Sequence, residues 1–259
     1  VTTQTNTPTS APPEQTVGMT LIEHLVELRM RLVRAIYGVL FGLVIGIFLV
    51  YPGGPVELVD VIIRRFAPIN ELYAPVQAVG TVEQFTSYMT VAFTVGIIIG
   101  MPVVVYQLLA FIVPGLTDRE RRLIFMILPF VTIFFLAGLA FGWFITVPTA
   151  IRFLIGFSNS ELIQTQPTIS DFLGTITMLL VINGIVFELP VIIYALAFLG
   201  VVEAKQLRKF RRFAVVIVVI VAALITPTGD PVNLALLAIP MYLLYEVGVF
   251  LARFVPKRT

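Results

Sequence analysis

At 58% hydrophobic and only 12% charged residues, with a mean hydropathy of +1.00, this 259-residue chain is too apolar for a soluble domain, where about a quarter of residues carry charge. The net charge of +2 is small, so where the charges sit matters more than their sum. There is no cysteine and a single histidine, which excludes a disulfide framework and any thiolate or multi-histidine metal site.

Repeated apolar runs of near-spanning length indicate an all-α polytopic membrane protein, because only helices satisfy their own backbone within a span; the short alternating strands of an outer-membrane barrel are not evident. Residues 1–18, rich in Thr and Pro, read as a disordered tail without the apolar segment of a secretory signal. Residues 19–254 read as a six-span membrane domain and 255–259 as a short tail. Leu21, Leu25, Leu28 and Leu32 recur at helical spacing with Glu23, Glu27, Arg31 and Arg34 on the other side, and Thr20 with Glu23 has the capping-box pattern. This segment is expected to lie in the membrane interface and run into a first span at about 33–51. Pro52-Gly-Gly-Pro55 then opens an extramembrane loop in which Val59, Ile62, Ile63 and Phe66 predict a short surface helix.

The second span, about 85–112, contains Pro102; the polar connector Asp118–Arg122 separates it from a third, about 123–147, that contains Pro129 and is expected to stop near Pro148. After a polar loop with Asn159, Glu161 and Gln164, the fourth span, about 171–199, carries Asn183, Glu188 and Pro190. A basic connector with Lys205, Arg208, Lys209, Arg211 and Arg212 leads to the fifth and sixth spans, about 213–226 and 232–252, the sixth containing Pro240 and Glu246. The fifth apolar run, Phe213–Ile225, has 13 residues, which at ~1.5 Å each reach roughly 20 Å of a ~30 Å hydrocarbon core. The last two spans are therefore expected to be short. Of the 17 Lys and Arg, only Arg64, Arg65 and Arg152 fall in the loops of one side; the other 14 place both termini and the Glu120 connector in the cytoplasm.

Few residues offer chemistry. No Gly-x-x-x-x-Gly-Lys-Ser/Thr loop exists for ATP, and Gly156-Phe-Ser-Asn-Ser160 lacks the second glycine of a nucleophile box. His24 lies outside the spans, where an interfacial polar residue is a better account than a catalytic base. Charge at membrane depth is costly and usually functional, with a helix–helix hydrogen bond as the alternative; the balance favours function for Glu188 and is even for Glu246. Glu23 is accounted for as a cap, Glu27 by an i, i+4 pair with Arg31 worth only ~0.3–0.5 kcal/mol, and Glu120 by its neighbouring arginines. Two carboxylates on a membrane surface rimmed by apolar residues would equally suit a cationic peptide, each holding a guanidinium by two bonds.

Several spaced motifs, in order from about residue 19 to 254, resemble the TatC family, the large membrane subunit of the twin-arginine protein translocase. They are His24-Leu-Val-Glu-Leu-Arg29 with Arg31, Tyr106-Gln107 through Phe111-Ile-Val-Pro114 to Glu120-Arg121-Arg122, Phe187-Glu-Leu-Pro190, and Leu236-Leu-Ala-Ile-Pro240 through Tyr245-Glu246-Val-Gly-Val-Phe250. The resemblance implies a multi-pass protein of the bacterial cytoplasmic (inner) membrane, not an enzyme and without cofactor, that binds twin-arginine signal peptides of folded precursors on its cytoplasmic face. It further implies transport driven by the proton motive force with single-span partners of the TatA/TatB type, in homo- and hetero-oligomers within lipid and without nucleic acid. By the same match, Glu120 is the main acidic contact, Glu27, Arg29 and Arg31 form the N-terminal part of the signal-peptide site, and Phe111 and Pro114 its apolar surround. Glu188, with Asn183 beside it, matches an intramembrane position facing a groove where partner spans dock, and Asp230 a polar residue of the last outer loop. That loop, Thr226-Pro-Thr-Gly-Asp230, is one residue longer here than the family's usual Thr-Pro-Pro-Asp. Two other classes remain to be weighed. A proton-coupled small-solute transporter would use Glu188 as relay but would more often show paired repeats. An intramembrane enzyme would need a second catalytic group beside Glu188 or His24.

Overall fold

A computed structural model describes residues 21–67, 76–112, 118–156, 167–198, 200–226 and 230–255, with side chains throughout except at 21, 24, 109, 112 and 118–128. Thr20, Pro68, Pro75, Pro114, the 157–166 loop, the 1–18 tail and residues 256–259 lie outside it, as do the side chains of His24 and Glu120. Among the described residues the chain is helical throughout, with one isolated parallel bridge, Gln77 to Thr168. Among the described residues five segments are long and apolar enough to cross a membrane: Leu25–Val50, Thr81–Leu108, Pro129–Gly156, Ile169–Phe198 and Pro231–Phe254.

Helix α1 (Leu21–Val50) is one uninterrupted rod, so the amphipathic start and the first span are a single element. The surface helix α2 (Leu58–Phe66) buries Val59, Ile62 and Phe66, the face its spacing predicts. Helix α3 (Thr81–Ile112) runs antiparallel to α1 along a seam of small residues: Gly38, Gly42 and Gly46 on one side, Ala92, Gly96 and Gly100 on the other. A Cβ on Gly42 would come within 2.5 Å of the Gly96 carbonyl oxygen, and one on Gly96 within 2.9 Å of the Leu43 backbone. In lipid, where tails are as apolar as any side chain, such close backbone approach is what favours helix pairing. Gly96→Leu is therefore expected to cost at least about 2 kcal/mol through overpacking. It should show as a lowered unfolding midpoint in detergent, and an unchanged midpoint would mean the seam tolerates separation.

The third crossing does not stop at Pro148. Helix α4 (Asp118–Phe141) continues through a π-helical turn, Gly142–Thr146, into α5 (Val147–Gly156). Proline cannot donate to the carbonyl four residues back and its ring crowds that carbonyl. The wider turn just ahead, in which the Val147 N–H reaches the Gly142 oxygen, takes up the misfit and lets the rod carry on. The fourth crossing, by contrast, is broken. Helix α6 (Ile169–Phe187) ends at Glu188, and α7 (Leu189–Phe198) begins behind it. Pro190 lacks the N–H that would have bonded Val186, so the Glu188 N–H closes a tighter turn on the Ile185 carbonyl at 3.0 Å. The ladder resumes with the Ile192 N–H on the Glu188 oxygen, 2.9 Å.

Helix α8 (Ala204–Ile225) has 22 residues, extending the 13-residue apolar run through the basic connector, with the Gln206 side chain accepting from the Glu203 N–H at 2.9 Å at its start. Helix α9 (Pro231–Leu251) and a short 3-10 turn, Ala252–Phe254, return antiparallel beside it. At the end of the bundle that carries α2, one large cluster joins α2, α3, α5, α6, α8 and α9, and the rings of Phe66 and Trp143 meet edge to face at 4.7 Å. The same end is tied by the Glu83 carboxylate, which accepts from the Val79 N–H at 2.6 Å and from the Ser170 N–H at 3.3 Å. At the opposite, basic end the core divides into two smaller clusters, one between α7, α8 and α9 and one between α4 and α7.

Candidate functional site

The basic end of the α1–α3 seam holds the first group of predicted residues. Stepping back from Gly46 by three and four residues passes Gly42, Gly38, Ala35, Arg31 and Glu27, so the last two lie on the line that faces α3. On α3 the matching line runs from Gly96 and Gly100 through Val103 to Gln107 and Phe111. The seam thus changes from glycine to polar groups toward this end. Arg31 donates from Nε to Glu27 Oε1 at 2.9 Å and from Nη2 to the same oxygen; the two side chains are only 20% and 12% exposed. Both bonds fall on one carboxylate oxygen. Glu27 Oε2 is buried with no hydrogen-bond partner among the described residues, and so is Gln107 Oε1. Gln107 was not among the sequence-derived site residues; its signal was a polar side chain inside an apolar run.

Arg29, two residues from each member of this pair, is exposed on the other side of α1, and Phe111 is half-buried in the last turn of α3. Glu120 stands in the first turn of α4, five residues of connector after Ile112, which brings its backbone to the same end of the bundle. Pro114 falls outside the described residues.

Glu188 is a second, separate group. It sits at the break between α6 and α7, 4% exposed, with both carboxylate oxygens buried and unpartnered among the described residues. Gly184, one turn before it, abuts the Phe135 ring, and Val191, less than a turn after it, packs on Val131. Glu188 is therefore on the face turned to α4, packed against its own chain. Asn183 has intrachain partners: its Nδ2 donates to the Leu179 carbonyl at 2.8 Å and its Oδ1 accepts from Thr146 Oγ1 at 3.2 Å. It links α6 to the π turn, the helix–helix role that polar residues in spans commonly take.

Glu246 has two partners within its own chain. Its Oε2 accepts from Arg211 Nη2 at 2.5 Å and its Oε1 from the Tyr242 hydroxyl at 3.0 Å. Asp230 caps α9, accepting from the Asn233 N–H at 2.7 Å, with Pro231 at the first helical position where its missing N–H costs nothing. Among the described residues no group of three metal-ligating side chains occurs.

The sequence profile of the Sec-independent protein translocase protein TatC matches residues 23–240. Among curated relatives of that name, the Deinococcus radiodurans protein is 39% identical over 258 residues, covering 93% of this chain and 92% of its own. The Escherichia coli K12 protein is 36% identical over 235 residues, covering 90% and 88%. Two crystal structures of the twin arginine translocase receptor TatC superpose with TM-scores of 0.74 and 0.75, at 30% and 33% identity, over 91% and 89% of this chain and 100% and 99% of theirs. These matches leave the small-solute transporter and the intramembrane enzyme without support. The chain belongs to the TatC family: it is a multi-pass membrane protein, the non-enzymatic core subunit of the bacterial twin-arginine translocase.

Proposed function

We propose that this subunit receives twin-arginine signal peptides at the basic end of the α1–α3 seam, with Glu120 and Glu27 holding the two guanidinium groups and Arg29, Arg31, Phe111 and Pro114 around them. The observation that carries this reading is the half-used carboxylate of Glu27: one oxygen takes both Arg31 bonds, and the other is buried without a partner among the described residues. A guanidinium has five N–H donors and no acceptor, so buried acceptors left empty at a basic, apolar-rimmed surface suit it. A twin-lysine peptide presents point charges without the planar fork and should bind about tenfold more weakly or worse, a difference of ~1.4 kcal/mol. Photo-crosslinking of matched twin-arginine and twin-lysine peptides to the membrane-embedded protein measures this; equal yields would remove the reason for placing guanidinium groups here.

The reading includes a topology. Helix α8 is taken as the fifth of six passes, its basic first turns lying at the cytoplasmic surface, so that both termini, the Glu120 connector and 14 of the 17 basic residues are cytoplasmic. Single-span subunits of the translocase are the partners, and Glu188, packed against its own chain at the only break among the described crossings, is proposed to answer a polar group on a partner's span once that break is uncovered.

A further inference from the structure

We propose that the Arg211–Glu246 pair, with Tyr242 and Tyr245 beside it, sets the register of α8 against α9 and thereby the depth of the last hairpin. The inference rests on α8 being a membrane pass. Against α9, α8 buries only Ala214, Val218 and Ala222, four residues apart; Phe213, Val216, Ile220 and Leu224 are exposed, Leu224 by 81%. The fully buried row is two alanines and one valine, with Leu207, Val221 and Ile225 only partly buried beside it, so it has little relief. Sliding α8 by one turn, ~6 Å, puts one small residue where another stood. Lipid does not resist the slide, because side chains leaving the seam enter an equally apolar medium. Apolar packing therefore specifies this register weakly.

The polar groups specify it. Arg211 Nη2 donates to Glu246 Oε2 at 2.5 Å, the Tyr242 hydroxyl holds the other oxygen at 3.0 Å, and the Tyr245 hydroxyl donates to the Leu207 carbonyl at 2.6 Å. The pair is partly shielded, with Arg211 43% and Glu246 28% exposed. Four residues either way along α8 stand Leu207 and Val215, and Arg208, three residues back, is turned about 60° from Arg211, so a helix slipped by one turn offers Glu246 a cation only off that line. Fixing register is the best-attested use of a shielded ion pair.

Register here decides depth. From Arg211 to Ile225, and from Glu246 back to Pro231, the helices run only about 21–24 Å, against a core of ~30 Å. With the pair anchored near the cytoplasmic interface, the far ends of the two helices, Ile225 and Pro231, fall short of the opposite one. Without the pair, the depth of α8 is left to its own basic residues, whose long side chains reach the interface from a range of positions.

The natural chain has no cysteine, so engineered pairs report without background. In the full chain, in membranes with its single-span partners, Val218→Cys is combined in turn with Leu234→Cys, Ala238→Cys and Met241→Cys, and disulfide formation is scored. One pair should dominate. Arg211→Gln and Glu246→Gln should each lower the ratio of the dominant to the next crosslink about tenfold, and the exchange Arg211→Glu with Glu246→Arg should restore it. Unchanged ratios in both single variants overturn the proposal, as does a well-accumulated exchange variant that stays slipped. Should the exchange variant fail to accumulate, the two glutamine variants decide. Labelling of Asp230→Cys by an impermeant maleimide applied from each side in turn tests the pass itself: labelling from the cytoplasmic side removes the six-pass reading, whereas labelling from outside or from neither side, with unchanged ratios, removes the register lock alone.

Discussion

Replacing Glu120 with alanine should abolish crosslinking of a twin-arginine peptide while the protein remains folded in the membrane. A charge-assisted hydrogen bond contributes about 1.5–3 kcal/mol, so losing a two-bond guanidinium contact predicts a fall of ~10-fold at the least. Glu27→Ala should act by a second route as well. Removing it leaves the Arg31 guanidinium, 20% exposed, without its carboxylate and facing the incoming cation. Glu27→Ala is therefore expected to be harsher than the loss of one acceptor, and adding Arg31→Ala should recover part of the binding. The measurement is peptide crosslinking in membranes, with accumulation of the variants as the control for folding. Undiminished crosslinking in Glu120→Ala and in its double variant with Glu27→Ala would remove both carboxylates from the site.

Glu188→Leu should make the isolated protein more stable and the translocase less active. Both carboxylate oxygens of Glu188 are buried at a helix break with no partner among the described residues, and an unsatisfied buried polar group costs about 1–3 kcal/mol. Leucine has a similar volume and no polar atom to satisfy, and Pro190 keeps the break in place. A higher unfolding midpoint in detergent is expected, together with weaker association of single-span partners and reduced export, while peptide binding at the cytoplasmic end is retained. A residue kept at a cost to stability is one kept for function. If the variant exports normally, Glu188 has no part in transport; if its midpoint falls, the carboxyl is satisfied in a way its surroundings do not show.

What the amino-acid sequence determines by itself is the class and the family. These are legible because hydropathy over some twenty residues, and motifs such as Phe187-Glu-Leu-Pro190, are local properties of the chain. The surface helix α2 is legible for the same reason: three of its apolar residues, Val59, Ile62 and Phe66, face inward at the spacing that predicts them. Inside the spans that logic fails. Lipid-facing and protein-facing sides are equally apolar, so periodicity does not tell which face is buried. The facing glycine rows of α1 and α3, small residues at every fourth position, were the available signal.

Tertiary structure decides the rest. Prolines of similar appearance have opposite outcomes: the helix passes Pro148 because a π turn precedes it and breaks at Glu188 ahead of Pro190, a difference set by packing on neighbouring helices. Asn183 bonds Thr146 of the π turn, 37 residues away in sequence, a contact that its place in the fourth crossing did not reveal. Glu246 finds Arg211 across 35 residues, a pairing no local pattern encodes. The Glu27–Arg31 pair was legible as i, i+4, but the burial of the second oxygen of Glu27 without a partner among the described residues was not. A chain in lipid states its crossings in composition, whereas its polar partners are chosen by which helices meet, and that choice follows from the close backbone contacts of residues with almost no side chain.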